Sequence, residues 1–130
     1  MVIDTSALTA ILGKEPECEA VLEKIARSAM RKISALTVLE AGMVIEARFG
    51  AAAGGDLELF LYMASLEIVP FDRKQADLAR SAWRRFGKGN HPARLNLGDC
   101  CVYALAKVHA LPILCKGADF ALTDIPVLRV

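Results

Sequence analysis

The sequence predicts a three-layer α/β/α sandwich around a parallel sheet, and three features point to it. Short apolar runs alternate along the chain with segments whose apolar residues recur at helical spacing. Helix-capping residues follow two of those runs directly, as in Val2-Ile3 before Asp4-Thr5-Ser6 and Leu66–Phe71 before Asp72. The 130 residues contain no repeat, low-complexity tract or linker, so one domain spanning residues 1–130 is expected. Short strands interleaved with helices imply parallel pairing with helices on both faces.

The elements follow in order. Val2-Ile3 opens the sheet, and Ala7–Leu12 forms a helix that stops at Gly13. Beyond Pro16, Val21, Leu22 and Ile25 recur at helical spacing. A second strand is expected over Ile33–Leu36, with Thr37 capping a helix from Val38 to Phe49. Gly50 and the Ala-Ala-Ala-Gly-Gly stretch mark a break before a helix over Asp56–Ala64. Leu66–Phe71 reads as a strand, and Asp72 caps a helix whose Ala76, Ala79, Trp83 and Phe86 share one stripe. Gly87–Pro92 holds too many breakers to be helical. Gly98-Asp99 opens a helix with Cys101, Ala104, Leu105 and Val108 on its apolar face. Pro112–Cys115 is a strand, Lys116–Ala118 a turn, and Val127–Val130 the last strand.

Composition narrows the class. Hydrophobic residues make up 55% of the chain, yet its longest apolar run, Cys100–Ala106, is far short of the ~20 residues of a membrane span. The opening residues have no basic region or apolar signal core, so a cytoplasmic location is expected. The apolar excess then points to a surface covered by a partner. Cys18, Cys100, Cys101 and Cys115 form no C-x-x-C pair, which excludes zinc spacing and leaves reduced core thiols as the simplest reading. Net charge is only +1, but Arg73, Lys74, Arg80, Arg84, Arg85, Lys88 and Arg94 face the single acid Asp77 in their segment. Such a run suits a polyanion or a solvated helix face. Glu15, Glu17, Glu19 and Glu23 give the opposite bias near the start.

The acids carry the chemistry. Ligands of open parallel sheets bind beyond the carboxyl ends of the strands. Asp4 follows the first strand directly, and Asp119 lies just beyond the Cys115 strand. Asp4 and Asp99 also fit simple helix caps. Glu40 is harder to place innocently, because its helical neighbours Leu36, Met43 and Val44 are all apolar. That stripe turns it towards the core or a cleft, and no basic residue lies between Lys32 and Arg48 to pair with it locally. A buried carboxylate requires a partner, so a distant Arg or Lys or a metal ion must reach it. Converging carboxylates repel one another, and a hard divalent cation such as Mg²⁺ removes the conflict and activates water on a phosphodiester.

The segments M-V-I-D-T-S-A-L, L-E-A, L-N-L-G-D-C and K-G-A-D-F-A-L-T-D-I, in order over essentially the whole chain, resemble the VapC-type toxins of the PIN-domain family. The resemblance implies the α/β/α sandwich and a Mg²⁺- or Mn²⁺-dependent endoribonuclease. It also implies a toxin role in a type II toxin–antitoxin pair, with a small antitoxin partner and a homodimer. Carried across, Asp4 and Asp99 match the principal metal ligands, and Glu40 and Asp119 the remaining acids. Thr5 and Ser6 match the hydroxyl positions that hydrogen-bond a carboxylate or a water. Ala118 departs from the polar or acidic residue that relatives often carry there, and Asp124 competes with the site or serves as a turn or cap. Arg84, Arg85, Lys88 and Lys116 are the candidate RNA contacts, and His91 sits in a basic loop with no nucleophile to serve. A receiver-like signalling domain would want paired acids after the first strand, which the single Asp4 does not supply. A non-catalytic RNA-binding module would favour removing the acids. A nuclease for another nucleic acid differs only in substrate.

Overall fold

The computed structural model describes residues 1–130. Its sheet is built from β1 (Val2–Ile3), β2 (Lys32–Ser34), β3 (Glu67–Val69), β4 (Ile113–Cys115) and β5 (Val127–Arg129). The strand order is β3-β2-β1-β4-β5, and every neighbouring pair is parallel. The chain thus winds outward from β1 to β3, then returns to lay β4 against the other side of β1. The crevice at the carboxyl ends of β1 and β4 is therefore the topological switch point.

Alternation along the strands sorts side chains onto two faces. Val2, Ile113 and Cys115 enter one core with Phe86 of α5 (Arg73–Phe86) and Tyr103 and Leu105 of α6 (Leu97–His109). Ile3, Ile33 and Leu114 enter the other. They meet Leu8 of α1 (Thr5–Leu12), Val21 of α2 (Cys18–Arg27), Ile45 of α3 (Ala35–Phe49) and Leu57 of α4 (Ala52–Met63). Both faces are covered at the central strands β1 and β4, which is why these two read as unbroken apolar runs. The expected three-layer α/β/α architecture is the observed one.

Several boundaries differ for local reasons. β2 ends at Ser34, whose hydroxyl caps α3 by accepting from the Leu36 N–H at 3.2 Å. Thr37, the expected cap, lies buried inside that helix with no partner for its hydroxyl. α4 begins at Ala52, inside the stretch expected to be a break. Alanine is the best helix former, and burial of Leu57 and Leu61 outweighs the cost of Gly54 and Gly55. On α5 the buried positions are Gln75, Ala79, Ala82 and Phe86, while Trp83 is 51% exposed. α6 starts at Leu97 under an Asn96 cap and buries every residue from Cys100 to Ala106.

All four cysteines are free, and burial pushes the thiols of Cys100 and Cys101 up to about 11 and that of Cys115 to about 12. These are inert core groups. No helix is long and apolar enough to cross a membrane.

The orphaned hydroxyl gives a stability test. Thr37→Val keeps the shape and removes a buried polar atom whose lack of a partner costs ~1 kcal/mol or more. The melting temperature should rise by roughly 3 °C; an unchanged or lower value would show that the hydroxyl is satisfied in solution.

Candidate active site

Each acid is delivered to the switch-point crevice by a different element. Asp4 is the N-cap of α1, placed directly at the end of β1, and is buried. Its Oδ2 accepts from the backbone N–H of Ser6 at 2.9 Å and from the Ser6 hydroxyl. That hydroxyl also accepts from the backbone N–H of Lys116 at 2.9 Å, so it ties the end of β1 to the turn after β4. Asp99 is the third residue of α6, not its opening residue as the sequence suggested. It forms a capping box with Asn96: its N–H donates to Asn96 Oδ1 at 2.9 Å, and its Oδ2 accepts from the Asn96 N–H at 2.8 Å.

Glu40 lies half-buried on α3, and Thr5 Oγ1 donates to its Oε2 at 2.5 Å. The core face of α3 consists of Thr37, Ala41 and Ile45, whereas Met43 is 66% exposed. The Leu36–Glu40–Val44 stripe therefore lines a cleft instead of the core. Asp119 opens a 3-10 turn after β4 and is exposed.

Hydrogen bonding thus occupies Asp4 Oδ2, Asp99 Oδ2 and Glu40 Oε2, and the second oxygen of each makes no hydrogen bond to another side chain. No ion pair of the chain involves any of the four acids. The choice left by the sequence for Glu40 is thereby narrowed, since no Arg or Lys reaches it. Burial pushes the Asp4 carboxyl up against the opposing Ser6 hydrogen bonds, and Glu40 adds to the rise. Asp99 is raised to about 7, first by burial and then by the charges of Asp4, Asp119 and Glu40, against the Asn96 N–H.

Crowded, unpaired carboxylates of this kind fit a hard divalent cation. As they stand, no three His, Cys, Asp or Glu side chains are grouped closely enough to hold a metal ion between them. An open site with one or two direct carboxylates and several waters is what Mg²⁺ takes. Asp4 and Asp99 have the burial and free oxygens for direct contact, and Glu40 and Asp119 could hold the waters.

The remaining sequence candidates are dispersed. Asp124 is turned away from the crevice and binds Tyr103 Oη at 2.7 Å, Lys107 Nζ at 2.8 Å and Arg85 at 3.4 Å. Although burial pushes its carboxyl up, the Lys107 and Tyr103 hydrogen bonds and the charges of Lys107 and Arg85 bring it down to about 2. Arg85 is committed to that cluster. Lys116 Nζ meets Glu15 at 2.8 Å and Glu17 at 3.0 Å. Arg84 is exposed and enters no ion pair, and Lys88 borders an apolar groove of about 500 Å³ with Arg80 and Trp83. That groove shares Leu36, Asn96, Leu97 and Cys101 with a second one of about 350 Å³ beside Glu40. His91 Nδ1 accepts from the Ala93 N–H at 3.1 Å and serves its own loop.

Two contributors escaped the sequence reading. Asn96 could have been found, because a capping box has this spacing of Asn and Asp. Gly98, whose Cα faces the Glu40 carboxylate, leaves no sequence signal of its contact.

The PIN-domain family model matches residues 1–126. A ribonuclease VapC of Mycolicibacterium smegmatis is 52% identical over 129 residues, covering 99% of this chain and 100% of that protein. The chain is a VapC-type member of the PIN-domain family. Ribonuclease VapC30 of Mycobacterium tuberculosis is 48% identical over 130 residues, covering 100% and 99% of the two chains. Among solved PIN-domain folds, Mycobacterium tuberculosis VapC20, titled a sarcin-ricin loop cleaving toxin, superposes with a TM-score of 0.82 at 13% identity. It covers 99% of this chain and 98% of its own. The FitAcB structure from Neisseria gonorrhoeae gives a TM-score of 0.69 at 23% identity, covering 98% and 95%.

The raised acids set a pH signature for the metal-free protein. Asp99 binds its proton more tightly folded, near 7, than unfolded, near 3.8. Its contribution is therefore full below pH 3.8 and is lost as pH rises through 7. Melting temperature in EDTA should fall across that window more steeply for wild type than for Asp99→Asn. Parallel curves would contradict the shift.

Proposed function

We propose that this chain is a Mg²⁺- or Mn²⁺-dependent endoribonuclease and the toxin of a type II toxin–antitoxin pair. The observation that carries the reading is the convergence of Asp4, Glu40, Asp99 and Asp119 on the switch-point crevice with no cationic side chain to neutralise them. Relatives named ribonuclease VapC at up to 52% identity over the whole chain support it.

Asp4 and Asp99 would hold the cation through the oxygens that their Ser6 and Asn96 hydrogen bonds leave free. A bound divalent ion supplies Lewis acidity towards a phosphodiester oxygen and lowers the pKa of a bound water. Thr5 fixes one oxygen of Glu40, leaving the other to orient a water. Ser6 spans Asp4 and the Lys116 backbone, keeping the two strand ends at fixed separation. Asp119, exposed in the turn after β4, would be the acid most open to an incoming strand and to solvent water. Among the candidate RNA contacts, Arg84 and Lys88 can meet a backbone phosphate as they stand, whereas Arg85 and Lys116 must first leave carboxylate partners.

The apolar grooves support the protein partners. Leu39, Met43 and Leu97 are 59%, 66% and 80% exposed around them, an apolar cluster of the kind that partners cover. We assign the surface near Leu97 and Trp83 to a second copy of the chain. The groove of about 300 Å³ between α3 and α4, lined by Leu39, Met43 and Leu57, suits an amphipathic antitoxin segment. Solved structures with this fold include a toxin–antitoxin complex from Klebsiella pneumoniae and DNA-bound VapBC from Salmonella typhimurium.

Purified protein should cleave RNA only with a divalent cation, and Asp4→Asn and Asp99→Asn should each lose at least ~100-fold in rate. Cleavage that persists in EDTA or in both variants would refute the reading. A second outcome concerns binding: Arg84→Gln with Lys88→Gln should weaken RNA affinity and lower its salt slope by about one to two. An unchanged slope would place the RNA elsewhere.

A further inference from the structure

Gly98 is the residue against which Glu40 closes, and we propose that its missing side chain forms the seat that aims the Glu40 carboxylate into the acidic crevice. The inference rests on the metal-site reading above and assigns a positioning role to a residue that touches no substrate.

Gly98 lies in the first turn of α6, between Leu97 and Asp99. Its φ is not positive, so the backbone there does not demand glycine. Glycine in a helix costs stability relative to alanine, so its presence calls for a steric reason. A Cβ at this position would lie 2.5 Å from Glu40 Oε1, 2.7 Å from Oε2 and 2.8 Å from Cδ. All three are at the far end of one flexible side chain. The atoms an alanine would meet first are therefore those of a carboxylate that can move.

Two features make the seat specific. Thr5 Oγ1 donates to Oε2, so the carboxylate is held by a hydroxyl while it lies against α6 at Gly98. The start of α6 also carries unpaired N–H groups and the positive end of its dipole, which favour a negative charge there. Adding a methyl removes this site while leaving Asp99 and its capping box in place. Gly54 offers an internal comparison, because a Cβ there would collide with the Glu46 carboxylate in the first turn of α4. Glu46 lies more than a helical turn beyond Glu40 on α3, away from the acids.

The test uses the whole chain, melting curves and Mn²⁺ titration, with Gly98→Ala, Gly54→Ala, Glu40→Ala and the double variant Gly98→Ala/Glu40→Ala. Gly98→Ala should fold and should raise the Mn²⁺ concentration for half-maximal stabilisation roughly tenfold. Gly54→Ala should leave that concentration unchanged. In the metal-free state Gly98→Ala should raise the melting temperature on the Glu40→Ala background, as alanine for glycine does in a helix, but not on wild type.

Equal shifts on both backgrounds, or an unchanged Mn²⁺ midpoint for Gly98→Ala, would overturn the proposal. So would failure of Gly98→Ala to fold, since the methyl would then meet more than Glu40. If wild type shows no stabilisation by Mn²⁺, the metal-site reading fails, while the metal-free comparison still decides whether Gly98 seats Glu40.

Discussion

Carboxyl groups buried beside one another at the end of a sheet lose their hydration and repel one another, and this is the constraint to which the rest of the site answers. Asp4 is fixed by its position at the end of β1, and Asp99 by its place in the first turn of α6. Neither can retreat without breaking a helix cap. Burial raises both groups, and together with the charges of Asp4, Asp119 and Glu40 it brings Asp99 to about 7. The chain spends its basic residues elsewhere: Lys116 and Arg48 on Glu15, and Lys107 and Arg85 on Asp124. A cation from solution is the economical answer to an imbalance that the fold maintains.

The same constraint explains how the hydrogen bonds are distributed. Ser6, Asn96 and Thr5 each engage one oxygen of an acid, which fixes its direction without consuming its capacity to bind. Helix N-termini do much of this work, since Asp4 caps α1 and Asp99 completes the box on α6. A structural role and a chemical one are therefore compatible: the cap holds the carboxylate still and leaves its second oxygen without a side-chain hydrogen bond. The Asp124 cluster serves a different end, joining the segment before β5 to α5 and α6. It pins the far side of the turn that carries Asp119.

Much of this was legible in the chain itself. Short apolar runs followed by Asp4 and Asp72 located two strand ends, and both residues are the N-caps expected of them. Glu40 stood out because its helical neighbours are apolar, whereas Asp4 and Asp99 also fit simple caps and joined the candidate set through the motifs around them. Misreadings arose where a local rule had a close competitor. Ser34 and Thr37 are both good caps, and burial of the α3 face decided for the earlier one. The glycines after Gly50 suggested a break, but alanine propensity and the packing of Leu57 carried the helix through them. Trp83 was set on the buried stripe of α5, where Ala82 occupies the tighter space against α6. Glu40 was placed in a core or cleft, and only tertiary structure could tell which. Contacts such as Gly98 with Glu40 join residues far apart in sequence and have no periodic trace.

The central claim is that burial, reinforced by the charges of Asp4, Asp119 and Glu40, holds Asp99 partly protonated at neutral pH until a cation relieves it. Carboxyl ¹³C shifts followed through a pH titration, with and without Mg²⁺, read this directly. The account predicts an Asp99 midpoint near 7 in the metal-free protein and a fall of at least about two units when Mg²⁺ is bound. An Asp99 that titrates near 4 under both conditions would contradict it.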